Sequence, residues 1–187
     1  MDLVRKVDLN KIAKITLVVL LGSILLTISA KIKIPFYPVP MTMQTFVVLF
    51  LGIAFGPKIG LATVTLYLLE GISGLPVFAN SPEKGVGLVY FTGPTMGYLI
   101  GFLVAVYFAG FCKNSKKNNY LNIFFRLFFS VSFIYILGLL WLGYLIGWDK
   151  PIFKLGAQPF LLAVFFKLAL LTILYPLITY IILKLSR

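Results

Sequence analysis

The stretch ITLVVLLGSILLTISAKI, residues 15–32, decides the fold class of this protein. Its apolar run is longer than a water-soluble core requires, and about 20 such residues cross the roughly 30 Å hydrocarbon layer of a membrane. Since a backbone in lipid must satisfy its polar groups within its own element, the stretch is predicted to be a helix. It is also too long for the apolar region of a cleaved signal peptide, so we expect it to span the membrane.

Five further apolar stretches follow, separated by segments that contain glycine, proline or charged residues. We therefore predict an all-α membrane protein of six transmembrane helices, forming a single integral membrane domain over residues 1–187. Residues 34–44 and 71–91 are rich in proline or glycine and are predicted to be irregular loops. Pro57 and Pro94 each follow a glycine and are predicted to begin helices. The predicted spans are residues 12–34, 43–55, 57–70, 93–112, 121–146 and 159–183.

Composition and charge agree with this class. Hydrophobic residues make up 60% of the chain and charged residues 12%, whereas about 25% of an ordinary soluble domain is charged. The net charge of +12 does not indicate nucleic acid, because the basic residues cluster between the apolar stretches. With a cytoplasmic N-terminus, eleven basic residues lie inside and five outside. This bias predicts a multi-pass protein of the cell membrane with both termini in the cytoplasm and both irregular loops outside.

Several kinds of catalysis lack the residues they need. The chain has no histidine and a single cysteine, Cys112, which excludes the usual Cys/His zinc sites. Gly71-Ile-Ser-Gly74 matches the pattern around the nucleophile of rhomboid proteases, but Ser73 would need a base, which is a histidine in that family. No Walker A motif is present to bind ATP. We expect a protein that is not an enzyme and has no cofactor and no metal site.

Lys167 is the residue that most directly indicates a binding site. It lies in the apolar sixth span, roughly 12 Å from the start of that span at a helical rise of about 1.5 Å per residue. A charge in such a position costs about 2.5–3.5 kcal/mol, so it usually faces the interior of the bundle and serves a function. The alternative is that the side chain extends toward the lipid headgroups. The functional interpretation is that Lys167 binds an anionic group of a ligand.

Polar and aromatic side chains surround the two irregular loops. Gln44, Asn80 and Thr95 are the polar candidates, since an amide both donates and accepts hydrogen bonds and suits a ligand group such as a urea. The alternative is that they cap helices or satisfy the loop backbone. Aromatic rings can wall an apolar ligand, although tyrosine also anchors at membrane interfaces. The aromatic residues are Phe36, Tyr37, Tyr67, Phe78, Tyr90 and Phe91, of which Tyr67, Phe78 and Tyr90 join the candidate site.

Five short motifs occur in one order within residues 30–110, and together they resemble the BioY family of biotin transporter proteins. They are PFYPVPMTMQT (35–45), GPKIG (56–60), LYL (66–68), GLPVF (74–78) and GPTMGYLIGF (93–102). No single motif is specific, but the ordered set is. The chain is therefore similar to the substrate-capturing S components of energy-coupling-factor (ECF) transporters.

This resemblance implies six helices, one biotin site near the outer face and partner proteins. The implied partners are a transmembrane subunit and two ATPase subunits, besides membrane lipid, and there is no nucleic acid. It also implies a binding role for Lys167 and an aspartate one turn before it, where this chain has Val164. The family's small-x-x-x-small docking motif has its nearest equivalent here in Ser23-Leu-Leu-Leu-Thr27.

Two alternatives keep the membrane fold. The protein could be a solitary biotin facilitator without ATPase partners, or an S component for another small anionic vitamin, which Val164 makes conceivable. The predicted substrate-binding residues are Lys167, Asn80, Gln44, Tyr90, Phe78, Tyr67 and Thr95.

Overall fold

The structure is a computed structural model that describes residues 9–34, 37, 39, 41–114 and 119–185. Within them, regular structure is almost entirely helical, which confirms the predicted all-α class. The only strands among these residues are β1 (Lys33–Ile34) and β2 (Met41–Thr42), which form one antiparallel ribbon, and 3₁₀ helices cover Phe111–Asn114 and Gln158–Phe160. The α-helices are α1 (Leu9–Lys31), α2 (Gln44–Phe55), α3 (Pro57–Ile72), α4 (Leu88–Phe91), α5 (Met96–Gly110), α6 (Tyr120–Ile146), α7 (Ile152–Gly156) and α8 (Leu161–Leu185).

Three helical stretches are long and apolar enough to cross a membrane: Leu9–Lys31, Tyr120–Ile146 and Ile152–Ile182. Helices α2 and α5 are also apolar but have 12 and 15 residues, which is about 18 and 23 Å at the α-helical rise. The long helices expose many large apolar side chains, among them Leu21 on α1 and Phe128 on α6. Such a surface suits lipid, so the structure supports a membrane protein, while the number of crossings stays a prediction.

Helix α2 lies at the centre of the bundle and packs against α3, α5 and α8. Most of its residues are buried, beginning with Gln44, its first residue. At the other end, Gly56 has φ 85° and Pro57 begins α3, as predicted. The central position of α2 explains how a polar amide at its start comes to lie in the interior.

Helices α5 and α6 approach closely because glycines face the contact. A Cβ on Gly97 would lie 2.3 Å from the carbonyl oxygen of Leu137, and one on Gly101 would lie 2.6 Å from the Cα of Ile134. Small residues at such interfaces let two helix backbones touch in a membrane. This contact fixes the rotation of α5 and therefore the direction of its neighbouring aromatic side chains.

Several predicted boundaries differ from the structure. The first helix ends at Lys31 because residues 33–34 leave it to pair with β2. Helix α5 begins at Met96 rather than Gly93: residues 93–95 form a turn, and the carbonyl of Gly93 accepts a hydrogen bond from the Trp141 indole at 2.9 Å. The irregular loop 71–91 contains the short helix α4, and α8 begins at Leu161 after a 3₁₀ turn. The predicted extended backbone at Pro35, Pro38 and Pro40 lies outside the described residues.

Candidate functional site

A cavity of about 60 Å³ lies between the β1–β2 ribbon, the start of α2 and the inner faces of α5, α6 and α8. Polar groups enter it from the ribbon, α2 and α8, while aromatic rings from α5 and α6 supply much of its apolar wall. The lining residues are Val39, Met41, Thr42, Gln44, Thr45, Ala79, Tyr98, Phe102, Ile134, Tyr135, Phe160 and Lys167. Of the residues predicted from the sequence, this cavity brings together Lys167 and Gln44.

Lys167 reaches into the cavity from α8. Its Nζ donates a 2.6 Å hydrogen bond to the carbonyl oxygen of Thr42 on β2, and the side chain is half-buried. The ammonium therefore turns toward the β1–β2 ribbon and the cavity beneath it. In the described residues it has no carboxylate within salt-bridge distance. A cation held only by a neutral carbonyl can exchange that partner for an anionic or carbonyl group of a ligand.

Gln44 is held by a chain of buried hydrogen bonds. Its Nε2 donates to the hydroxyl of Tyr67 at 2.6 Å, and that hydroxyl donates to the carbonyl of Val77 at 3.2 Å. The Gln44 backbone N–H also donates to the hydroxyl of Thr42 at 3.3 Å. The side-chain Oε1 of Gln44 accepts from the Thr42 hydroxyl at 3.4 Å and has a second lone pair that can accept from a ligand N–H. Tyr67 itself supports the site from behind and does not line the cavity.

Phe78 and Tyr90 also lie behind the cavity rather than along its wall. Phe78 is 1% exposed, stacks on Tyr90 with ring centroids 4.7 Å apart and meets Tyr67 edge-on at 5.4 Å. A Cβ on Gly71 would lie 2.0 Å from the Phe78 ring, so the ring fills the space that this glycine leaves. The edge-on and offset-stacked arrangements of these rings are the ones that aromatic pairs prefer.

Asn80, Tyr90 and Thr95 meet at a second, smaller pocket of about 30 Å³, together with Lys84. The Asn80 amide oxygen accepts from the Nζ of Lys33 at 3.2 Å, and its backbone N–H donates to the Tyr90 hydroxyl at 3.3 Å. Burial raises the pKa of the Tyr90 phenol, while its hydrogen bonds with Thr95 and the Asn80 backbone act in the opposite direction. Thr95 is the N-cap of α5, but its side chain makes no capping hydrogen bond. Of the seven predicted residues, two line the first cavity, three line this second pocket, and Tyr67 and Phe78 line neither.

Four aromatic residues that the sequence did not predict for the site form a wall of the cavity: Tyr98, Phe102, Tyr135 and Phe160. Tyr98 donates to the carbonyl of Gly156 at 2.9 Å and meets Tyr135 edge-on at 6.2 Å. Two sequence signals point toward these residues. Tyr98 and Phe102 are spaced by one helical turn, which places them on one face of α5, and Phe160 precedes Lys167 by two turns.

Val164, one turn before Lys167, is 7% exposed and packs in the hydrophobic core.

Ser73, the serine of the protease-like pattern, donates to the carbonyl of Leu69, four residues earlier, at 2.8 Å. Ser23 is 1% exposed and donates to the carboxylate of Glu70 on α3, so it does not lie on the outward face of α1. Across the described residues, no three His, Cys, Asp or Glu side chains gather as metal ligands would.

The chain shares its fold with a helical protein of known structure. It is similar to the crystal structure at 2.1 Å of the S-component for biotin from an ECF-type ABC transporter. The TM-score is 0.75, the sequence identity is 24%, and the match covers 90% of this chain and 92% of the other. At this identity the likeness shows a shared fold.

Sequence comparison identifies the family. The BioY family model matches residues 4–183, and the chain belongs to the BioY family. The probable biotin transporter BioY of Pyrococcus horikoshii is 34% identical over 137 residues, which is 73% of this chain and 78% of that protein. The biotin transporter BioY2 of Lactococcus lactis subsp. cremoris is 28% identical over 166 residues, 88% of each chain. The resemblance predicted from the motifs is confirmed, and the chain is not an enzyme.

Proposed function

We propose that this protein is the biotin-binding S component of an ECF transporter and captures biotin at the outer face of the cell membrane. The observation that carries the proposal is the convergence of the Lys167 ammonium and the Gln44 amide in one aromatic-walled cavity. The two groups come from different helices, Gln44 from α2 and Lys167 from α8. Membership of the BioY family supplies the substrate class.

The groups in the cavity suit the chemistry of biotin. A ureido ring has two N–H donors and one carbonyl acceptor, and biotin adds a carboxylate and an apolar sulfur-containing ring. Gln44 Oε1 can accept from a ureido N–H, while Lys167 can donate to the ureido carbonyl or to the carboxylate. Tyr98, Tyr135 and Phe160 offer apolar surface to the bicyclic ring.

The volume of the cavity requires movement on binding. Pockets for drug-sized molecules usually enclose about 300–1,000 Å³, far more than the 60 Å³ found here. The ribbon and the loop at Ala79 form one side of the cavity and lie outside the long helices. We infer that this side moves outward to admit biotin.

We further infer that the single membrane domain crosses the membrane six times, with both termini in the cytoplasm. The distribution of basic residues supports this topology. Helices α2, α3 and α5 are shorter than a full crossing, and the 3₁₀ helix Phe111–Asn114 continues α5. The cavity then lies toward the outer face, near the β1–β2 ribbon, where a ligand from outside arrives.

Transport beyond capture requires partners in this proposal. We propose that a transmembrane subunit and two ATPase subunits provide the ATP-driven step, since the sequence carries no Walker A motif. The partner would meet the exposed apolar face of α1, which includes Leu17, Leu21 and Ile28. Ser23 belongs to the contact with α3 and not to this face.

A binding measurement tests the proposal. Purified protein in lipid nanodiscs is titrated with biotin and desthiobiotin by calorimetry, with unlabelled lipoate and pantothenate as competitors. Saturable biotin binding that neither competitor displaces supports the proposal. Preference for another anionic vitamin, or no saturable binding of biotin, contradicts it.

Uptake in cells distinguishes an S component from a solitary facilitator. Biotin accumulation is measured with and without co-expressed ECF subunits, and before and after depletion of ATP. An S component accumulates biotin only with its partners and ATP. Equal uptake without them indicates a facilitator.

A further inference from the structure

Lys31, the last residue of α1, and Lys33, the first residue of β1, donate hydrogen bonds to the loop that borders the cavity. The Nζ of Lys31 donates to the carbonyl oxygens of Phe78 at 2.8 Å and Ser81 at 2.7 Å. The Nζ of Lys33 donates to the carbonyl of Ala79 at 2.7 Å and to the amide oxygen of Asn80 at 3.2 Å. Four consecutive residues, 78–81, thus each give one oxygen atom to one of two neighbouring ammonium groups.

The acceptors of both lysines are neutral oxygen atoms. In the described part of the chain neither lysine has a carboxylate within salt-bridge distance, and the two cations lie two residues apart. Hydrogen bonds from a charged donor are roughly twice as strong as neutral ones. Because the acceptors are mostly backbone oxygens, the bonds restrain the path of the loop rather than one flexible side chain.

The same loop is connected to the candidate site. Ala79, whose carbonyl accepts from Lys33, lines the cavity. Lys33 also pairs across the ribbon with Thr42, and the carbonyl of Thr42 accepts from Lys167 at 2.6 Å. The β1–β2 ribbon therefore connects Lys167, inside the cavity, to the lysines that lie outside it.

We propose that Lys31 and Lys33 are positioning residues that hold residues 78–81 against the cavity and thereby set the rate at which bound ligand leaves. This inference rests on the proposed function for the identity of the ligand, biotin. The loop itself is a feature of the protein that can be measured without any ligand. Opening of the loop requires these charge-assisted hydrogen bonds to break, so it is slow while they are present.

Hydrogen exchange measures the loop directly. The protein in nanodiscs is compared with the Lys31→Met/Lys33→Met double variant, and exchange is followed in a peptide covering residues 77–86. Methionine keeps an unbranched apolar side chain and removes the charge. We expect exchange in this peptide to accelerate about tenfold, the effect of losing at least one charge-assisted hydrogen bond. Peptides from α5 and α6 should not change, and an unchanged rate at residues 77–86 would overturn the inference.

The dissociation rate of biotin tests the second half of the proposal, that the two lysines set the rate at which bound ligand leaves. Labelled biotin is chased with unlabelled biotin, and we expect the double variant to release it about tenfold faster. Lys33→Arg keeps a donor and should stay within about threefold of the unchanged protein. The matched control is Lys154→Met, an exposed lysine on α7, which should have no effect. Accelerated hydrogen exchange without faster release would overturn the inference.

Failure of the proposed function gives a different result. If the unchanged protein binds no biotin, the chase has no signal, yet hydrogen exchange still reports whether the lysines hold the loop. If the double variant does not fold, Lys33→Met alone provides the same two measurements. In that single variant both the exchange rate and the release rate should rise, by less than in the double variant, and a failure of either to rise would overturn the inference.

Discussion

The ammonium of Lys167 lies 2.6 Å from the carbonyl oxygen of Thr42, a residue 125 positions earlier in the chain. This contact joins the long helix α8 to the ribbon over the cavity. It satisfies a cation that lies in an apolar helix, where an unpaired charge is costly. It also means that a ligand acceptor reaching Lys167 competes with the backbone of β2, so binding is coupled to the position of the ribbon.

Removal of the Lys167 ammonium should weaken biotin binding. For Lys167→Ala we expect the dissociation constant to rise about tenfold or more, because one charge-assisted hydrogen bond to the ligand is lost. Calorimetric titration measures the change. Lys154→Ala, which alters an exposed lysine outside the cavity, is the control and should leave affinity intact. Unaltered affinity in Lys167→Ala would remove this residue from the site.

An acid introduced one turn before Lys167 should strengthen binding. In Val164→Asp the carboxylate lies three residues from Lys167 on the same helix, a spacing that favours an ion pair. The family resemblance implies that an acid at this position accepts from a ureido N–H, so we expect affinity to tighten about tenfold. Val164→Asn is the matched neutral variant and should give a smaller gain. Titration of both variants with biotin measures their affinities, and weaker binding in Val164→Asp would contradict the expected geometry.

The bond between Gln44 and Tyr67 should contribute to stability more than to binding. Tyr67→Phe leaves the Gln44 Nε2 and the Val77 carbonyl without their buried partner, at a cost of about 1–3 kcal/mol. We expect a lower midpoint of thermal unfolding and only a small loss of biotin affinity. Gln44→Leu should lower both, since Gln44 lines the cavity.

Tyr180→Phe is the control for the loss of a hydroxyl, because Tyr180 is 64% exposed. Its unfolding midpoint should equal that of the unchanged protein. A Tyr67→Phe variant as stable as this control would show that the buried chain of hydrogen bonds contributes little.

A side chain at the α5–α6 contact should destabilise the bundle. In Gly97→Ala the added Cβ would lie 2.3 Å from the Leu137 carbonyl oxygen and 2.5 Å from the Trp141 Cβ. The helices must separate, at a typical cost of about 1–3 kcal/mol for overpacking. Thermal unfolding in detergent should show a lower midpoint, and Gly97→Val a lower one still. A midpoint that does not fall with side-chain size would indicate that α5 and α6 are less tightly packed.

The polar part of the site could be predicted from the sequence better than the apolar part. Lys167 stands out in an apolar helix because a buried charge is expensive wherever it occurs. Tyr98 and Tyr135 give no such signal, since an aromatic residue in an apolar helix is equally suited to lipid and to the interior. Their direction depends on the rotation of α5 and α6, which the glycine contact sets. Phe78 is an aromatic residue beside the loops, for which the sequence predicts a ligand contact, and its packing on Gly71 depends on the tertiary structure.

The sequence by itself determined the class of this protein, its predominantly helical structure and its family. Lipid imposes requirements on each segment separately, so apolar length, basic flanks and ordered motifs carry that information locally. Only the tertiary structure decided which side chains share a cavity and which lie behind it. Such neighbours, as with Lys167 and Thr42 or Lys31 and Phe78, are brought together by packing between distant segments, which no local pattern specifies.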